Sequence, residues 1–255
     1  MTKNYINLKR FNKIVDLGFF TSNGGVSKNE YTSLNCGISS KDNKNNILKN
    51  INIALKNLKI KHKNLKLINQ THSNKIYSIK KTNYNKKFYG DGLITKDKNI
   101  ALGVLTADCA PIFIFDKKKT IVCCLHSGWK GTLANIVAKG IEKIKIYKIN
   151  KKNIIAIVGP CLGYRNYEVD KSFKLRFIKK NKSYFKYFKS KNKSKDFFNL
   201  RGIINYQLKK EGIKYIYNIN EDTYNHENKF FSHRRMLHQK KIDTGRMINI
   251  ISLRD

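Results

Sequence analysis

The stretch VCCLHSGWKGTL, residues 122–133, decides how the rest of the chain is read. An apolar run of strand length empties into His126, and after it come Gly128, the single tryptophan Trp129, Gly131 and Thr132. Short apolar runs bounded by turn formers read as strands buried on both faces, and threonine is a residue type that caps a following helix. A strand that passes through glycine into a helix belongs to a mixed α and β fold. The histidine at its mouth is ordinarily a core residue with a hydrogen-bond partner. It becomes a site only where other reactive side chains converge on it.

Working outward, NNILKNINIALKNLK sets Ile47, Leu48, Ile51, Ala54, Leu55 and Leu58 at helical spacing and predicts a helix over 45–59. LKLIN and KIYSIK follow as two strands around QTHSN, with Gln70 and His72 at the turn between them. DGLIT, IALGVLTA, PIFIFD and TIVCCLHS are four further runs of strand length. Downstream, TLANIVAKGIEKIKIYK predicts a helix opened by Thr132, and NIIAIVGP a strand stopped by Gly159 and Pro160. The segment from Asp196 to about Glu211 predicts a helix closed by Gly212 as C-cap. KYIYNI, NKFFSHRR and RMINIISL supply late strands. Strands come both in succession and alternating with helices, which predicts an α+β fold with a β-sheet core flanked by helices.

With 255 residues, only Pro111 and Pro160 as prolines, and no Gly/Ser-rich linker or solenoid repeat, the chain reads as one domain over 1–255. The N-terminal MTKNYINLKRFNKIVDLGFF breaks its apolar residues with lysine and asparagine and offers no secretory core. The most apolar segment, IALGVLTADCAPIFIF, is interrupted by Asp108 and Pro111 and is too short to span a bilayer. Five cysteines, an odd number in a chain large enough to need no covalent staples, point to reduced thiols in a soluble cytoplasmic protein.

The formal charge of +36 points by itself to nucleic acid or an anionic membrane. Lysine, asparagine and isoleucine recur throughout, however, and all three can be encoded with A and T alone, so a compositional bias spreads them over every tolerant surface. The expectation is therefore no specific nucleic-acid partner and no membrane. The densest run, KSFKLRFIKKNKSYFKYFKSKNKSK from Lys171, interleaves aromatics with lysine as single-strand binders do. It equally describes an amphipathic helix started by Asp170 as N-cap, aromatics inward and lysines solvated, and that reading is preferred because charge runs alone specify little.

His72 in a turn, Cys109 at a strand end shortly before Pro111, and His126 at the next strand's end share one description. Two imidazoles and a thiolate are a good first-row metal set, and three protein ligands leave zinc an open fourth position, the arrangement of a catalytic site. Cys123 and Cys124 lie inside an apolar strand and read as core rather than as a fourth ligand. The competing reading makes Cys109 a small buried hydrophobe and the histidines unrelated, and no H-x-x-H or C-x-x-C signature links them. Asp108 and Asp91 are candidate acid/base carboxylates, or else structural acids capping turns.

The segments GFFTSNGGVSKNEYTSLNCG, INQTHSNKIY, GDGLIT, LTADCAPIFIFD, CLHSGWKGT, VGPCLGYRNYEV, FFSHRR and TGRMINIISL fall in an order that resembles the laccase-domain family. That family is variously called multicopper polyphenol oxidase, peptidoglycan editing factor or purine nucleoside phosphorylase, and the resemblance runs from about Leu17 to Leu253. It implies a fold similar to that of a bacterial deamidating toxin. It also implies that His72, Cys109 and His126 bind zinc, with copper possible. Gly128 and Gly131 then let the backbone turn close beside His126, and Trp129 either walls the pocket or is core. The chain departs from the family pattern at Ser22, which takes an arginine position, and at His233, which takes a tyrosine position. MLHQKK resembles an insertion, and a cysteine common in the family is absent from NEDTYNH.

Four functions follow. The first, implied by the resemblance, is a zinc-dependent enzyme acting on purine nucleosides and phosphate: phosphorolysis of adenosine, inosine, guanosine or methylthioadenosine, with adenosine deamination as an accompanying activity. Phosphorolysis needs an anion site, for which Arg234 and Arg235 are candidates, whereas deamination lacks its H-x-E and P-C-x-x-C signature. The second is a cysteine hydrolase with Cys109 as nucleophile and His126 as base, acting in peptidoglycan precursor editing. The third, polyphenol oxidation, needs many histidines, and none of the six here form an H-x-H pair. An RNA-binding module driven by charge is the fourth.

Overall fold

The computed structural model describes residues 4–60 and 64–254. At its centre, strands Ala110–Asp116 and Val122–Ser127 form an antiparallel hairpin whose residues are all buried, with Ser127 opposite Ala110 and Val122 opposite Phe115. Asp116 makes the turn: its carboxylate accepts from the backbone N–H groups of Thr120 at 2.8 Å and Ile121 at 3.1 Å. Because successive side chains of a strand point to opposite faces, the hairpin divides its residues between two cores. Ile112, Ile114, Cys123 and Leu125 pack toward helices, and Phe113, Phe115, Val122 and Cys124 toward a second sheet. Burial on both faces is why the sequence there is apolar without alternation.

The hairpin lies within a six-stranded sheet of order Tyr215–Asn218, Ile154–Val158, Ala110–Asp116, Val122–Ser127, Gly92–Thr95 and Ile76–Ser78. Both edge pairings are parallel and the inner ones antiparallel. A five-stranded sheet of order Tyr5–Ile6, Val15–Phe20, Met247–Leu253, Ala101–Thr106 and Leu65–Leu67 covers one face. Leu17, Phe19, Leu102, Val104 and Ile251 fill the space between the two sheets. The helix Lys44–Asn57 covers the outer face of the five-stranded sheet, and Ile136–Lys145 with Leu200–Lys210 covers that of the six-stranded sheet. A small sheet of Glu168–Asp170, Lys195–Phe198 and Phe188–Ser190 sits beside the latter. The fold is thus mixed α+β with a sheet core flanked by helices, as expected. No helix among the described residues is long and apolar enough to cross a membrane.

Several local readings are corrected. Leu48 is exposed rather than on the buried face of its helix. The helix expected from Thr132 is two helices, Trp129–Leu133 and Ile136–Lys145. Asn135 separates them in a left-handed conformation, φ 55°, which asparagine tolerates better than most residues, and its side chain caps the second helix at Ala138 N–H. Thr132 lies inside the first helix, its hydroxyl bonded to Gly128 O at 2.9 Å. Asp196 belongs to the strand Lys195–Phe198, and the helix Leu200–Lys210 starts at the cap Asn199, ending as expected at Gly212, φ 85°. NKFFSHRR supplies no strand: Ser232 caps a helix, His233–His238, through Arg235 N–H at 3.1 Å.

The basic run is likewise shorter in helix than expected. Its helix spans Lys171–Lys180 and starts from Asp170 at the N-cap position, as expected, but the Asp170 side chain makes no capping bond and instead accepts from Lys195 Nζ at 2.6 Å. The inward direction of the aromatics holds: Phe173, Phe177, Tyr184 and Phe188 join the core cluster.

Candidate metal centre

One buried carboxylate organises the site. Asp91 is fully buried at the start of the strand Gly92–Thr95, next to the hairpin strand that ends at Ser127. Its Oδ1 takes the Nδ1 of His126 at 2.8 Å and the backbone N–H of His72 at 3.0 Å. Its Oδ2 accepts from Ser73 Oγ at 2.8 Å and Thr71 Oγ1 at 3.2 Å. The turn 71–73 is therefore wrapped around the carboxylate, with His72 at φ 56°, a left-handed conformation uncommon outside glycine. Gln70 anchors the turn from the other end. Its side-chain amide donates to Leu105 O at 2.8 Å and accepts from Leu105 N–H at 2.7 Å, as a strand partner would.

Cys109 arrives from the opposite direction. Asp108 immediately before it has φ 86°, and this sharp turn sets the thiol facing the two imidazoles. The ligand atoms of His72, Cys109 and His126 all lie within 4.8 Å of one another, and this is the only such His/Cys/Asp/Glu group among the described residues. The imidazole rings meet edge to face at 80° and 5.0 Å. Gly128 makes the space: a Cβ there would stand 2.7 Å from Cys109 Sγ and 3.3 Å from His72 Cδ2. Gly131 lets the short helix Trp129–Leu133 pack against the turn, its would-be Cβ 3.2 Å from Ser73 O.

The donor set fits a metal ion by its chemistry. Asp91 holds Nδ1 of His126, which leaves Nε2 as the ligand atom, the usual outer-shell arrangement for a metal-binding histidine. Burial pushes the Cys109 thiol up, yet the charge of His126 and hydrogen bonds from both imidazoles overcome it and pull the thiol below its ordinary value. Burial in turn pushes His126 down, and Cys109 and Asp91 more than reverse this. The thiolate is the protonation state a metal requires, and the raised His126 would give up its Nε2 proton on binding one.

Two clefts share this cluster. One, of about 400 Å³, runs past Cys109 between Trp129, Tyr167 and Phe173, with Arg234 on its wall. The other, of about 470 Å³, passes Gln70, Ser39 and Arg246. His72, Cys109 and His233 line both. Asp108 lies in the wall of the first, its carboxylate accepting from Thr223 Oγ1 at 2.6 Å and Arg234 N–H at 2.6 Å. Burial raises it despite those two bonds. Arg234 donates to Asn166 O and Glu168 O and stacks on Tyr167. Arg235 is turned to a separate small cavity, bonded to Thr223 O and Tyr224 O at 2.8 Å, and Ser22 lines that same cavity. Trp129 both walls the first cleft and packs on the core against Phe173.

Sequence reasoning missed Tyr167 and Arg246 as cleft residues and did not foresee Asp91 as the ligand-orienting group. Arg246 follows a glycine at the head of a late strand, and nothing local distinguishes it from the many surface cations.

Comparison with known proteins shows the family and the fold. Residues 16–254 match the family described as multi-copper polyphenol oxidoreductase laccase. A purine nucleoside phosphorylase of Rickettsia conorii is 35% identical over 175 residues, 68% of this chain and 71% of that protein. Another from Haemophilus influenzae is 29% identical over 91% of each chain. The solved structure of the Bacillus licheniformis hypothetical protein YfiH superposes with a TM-score of 0.91 at 28% identity, covering 98% of this chain and 97% of that one. The chain belongs to this laccase-domain family.

Proposed function

We propose that the chain is a zinc-dependent purine nucleoside phosphorylase, converting adenosine, inosine, guanosine or methylthioadenosine and phosphate to the free base and sugar 1-phosphate. The observation that carries this reading is the convergence of His72, Cys109 and His126 at the wall shared by two clefts. The names borne by the relatives from Rickettsia and Haemophilus support the substrate class.

His72, Cys109 and His126 would hold the metal. Two imidazoles and one thiolate suit zinc, and the single three-ligand group among the described residues does not provide for the several coppers of a polyphenol oxidase. When bound, zinc supplies Lewis-acid polarisation of an oxygen on a reactant. The protein's own residues do the rest. Trp129, Tyr167 and Phe173 offer flat apolar walls for a purine, and a cation stands on each side, Arg234 in one cleft and Arg246 in the other, to hold phosphate. Asp91 fixes His126 and the His72 turn. Asp108 is a positioning residue in this reading, since its bonds tie the cysteine turn to the helix that carries His233 and Arg234. Phosphate attacks C1′ as the bond from C1′ to the base breaks, and the base leaves with that electron pair.

The test is chromatography of adenosine reactions with and without phosphate. Adenine is expected as the main product, its formation dependent on phosphate, with inosine as a lesser product. Conversion to inosine alone, indifferent to phosphate, would overturn phosphorolysis in favour of deamination. The depressed thiol of Cys109 beside His126 also suits a cysteine hydrolase. Chelation separates the two: turnover that survives removal of the metal belongs to the hydrolase.

A further inference from the structure

A groove of about 530 Å³ runs between the helices Trp129–Leu133 and Lys171–Lys180, outside the clefts of the metal centre. Its floor is apolar, formed by Trp129 and Leu133, and its rim carries Lys130, Arg176, Lys179 and Lys180. All four cations are exposed, and none makes an ion pair among the described residues. Their neighbours on the same helix behave differently, since Lys171 and Lys174 both reach Asp196, at 3.0 and 3.6 Å. The diffuse positive charge of the chain does not account for the groove. The cleft beside it contains Asp108, Glu168 and Asp170, and the small cavity near Arg235 contains Glu30, Glu227 and Asp243, whereas no carboxylate lines this one. Lys179 and Lys180 lie in the last turn of their helix, where cations are favoured by the dipole. Lys130 lies in the last turn of its own short helix with its Nζ over the Trp129 ring at 5.5 Å, whereas Arg176 has no such reason, and the two come from separate elements.

We propose that this groove is a second ligand site that binds a nucleotide, its base against Trp129 and Leu133 and its phosphates on the four cations. Flat apolar area beside converging guanidinium and ammonium groups is the chemistry that recognises a base carrying phosphate. The volume falls in the range of small-molecule sites, about 300–1,000 Å³. Trp129 also walls the cleft at the metal centre, so the two ligands share one side chain.

Trp129 is the only tryptophan and so reports directly on the groove. The experiment titrates ADP without magnesium into wild-type protein and into the double variant Arg176→Glu, Lys180→Glu, following Trp129 fluorescence at physiological salt. Saturable quenching is expected in the wild type, reversed by pyrophosphate. Reversing two charges that meet phosphate is expected to weaken ADP by about tenfold or more, while metal content and thermal midpoint stay those of the wild type. Equal ADP affinity in both proteins would place the ligand at the metal centre and overturn the proposal. An unsaturable response would do the same, as would a thymidine decamer that binds the wild type more tightly than ADP, because the surface would then be one for strands. The readout is binding, so it is independent of whether the metal centre turns nucleosides over.

Discussion

The wall that carries the metal ligands and the segment Lys171–Phe198 solve opposite problems. In the wall, Asp91 alone meets His126, the His72 backbone, Ser73 and Thr71, so a few directional bonds fix His126 and the turn that carries His72, two distant parts of the chain. In the segment, Phe173, Phe177, Phe188 and Phe198 stack and tilt on one another with centroids between 4.9 and 6.3 Å, and the lysines between them face outward. The first region is organised by hydrogen bonds to one buried charge, the second by buried area. Damage should therefore separate: in the wall, function goes while the fold remains; in the segment, the fold weakens while the ligand set remains competent.

Cys109→Ala is the largest expected effect. It removes one of the three proposed ligands and should abolish both metal binding, read by elemental analysis against the one zinc per chain expected of the wild type, and adenosine turnover. A variant that still purified with metal and remained active would show that the cluster is not the centre. Phe177→Ala strikes the other region. Phe177 is fully buried among aromatic neighbours, and its truncation should cost about 3–5 kcal/mol in denaturant unfolding. The folded fraction should bind zinc as the wild type does, and a loss of zinc affinity there would break the separation. Asp91→Asn is smaller. It keeps one acceptor but cannot serve both His126 Nδ1–H and the turn, and metal affinity should fall about 10–100-fold in competition with a chromophoric chelator. Unchanged affinity would mean that the ligands are positioned by packing instead.

The same contrast explains what the sequence made legible. Strands buried on both faces announce themselves by unbroken apolar runs, and the hairpin 110–127 is where such runs put it. His72, Cys109 and His126, which the structure brings together, stand at strand ends and a turn, places with few structural reasons for such residues. Helix limits were less legible, because they depend on single residues: Asn135 breaking a helix at positive φ, Asn199 and Ser232 supplying caps. Asp91 was visible only as an acid in a glycine turn. That its carboxylate faces both His126 and the turn 71–73 follows from the register of Leu125 opposite Gly92, a long-range pairing that no local pattern contains. Arg234 and Arg235 are adjacent and chemically identical, yet helix geometry sends one to the cleft and the other to the carbonyls of Thr223 and Tyr224.

The smallest expected effect concerns the charge. A net +36 would make this chain a strand-binding protein if aromatic platforms accompanied the cations, since such binders stack bases on exposed rings along a basic track. Here the rings of the basic segment are turned inward: Phe177, Tyr184 and Phe188 are buried, and Phe173 packs among them. Phe185 is exposed but stands alone, with Lys174 Nζ over its ring at 4.6 Å. Part of the charge is also answered locally, by Glu142 on Lys139, Glu168 on Lys191 and Asp170 on Lys195. Outside the groove at Trp129, what remains is a cationic surface without a track of exposed rings, for which attraction to a nucleic-acid strand is non-specific and steeply weakened by salt. Titration of a labelled mixed-sequence RNA should accordingly give an affinity weaker than about 1 μM at physiological salt, in the range of non-specific binding. A sub-micromolar affinity at that salt would show that the outward lysines of Lys171–Lys195 form a strand-binding face. The aromatic segment would then present a strand-binding face of its own, and the contrast with the wall of His72, Cys109 and His126 would no longer hold.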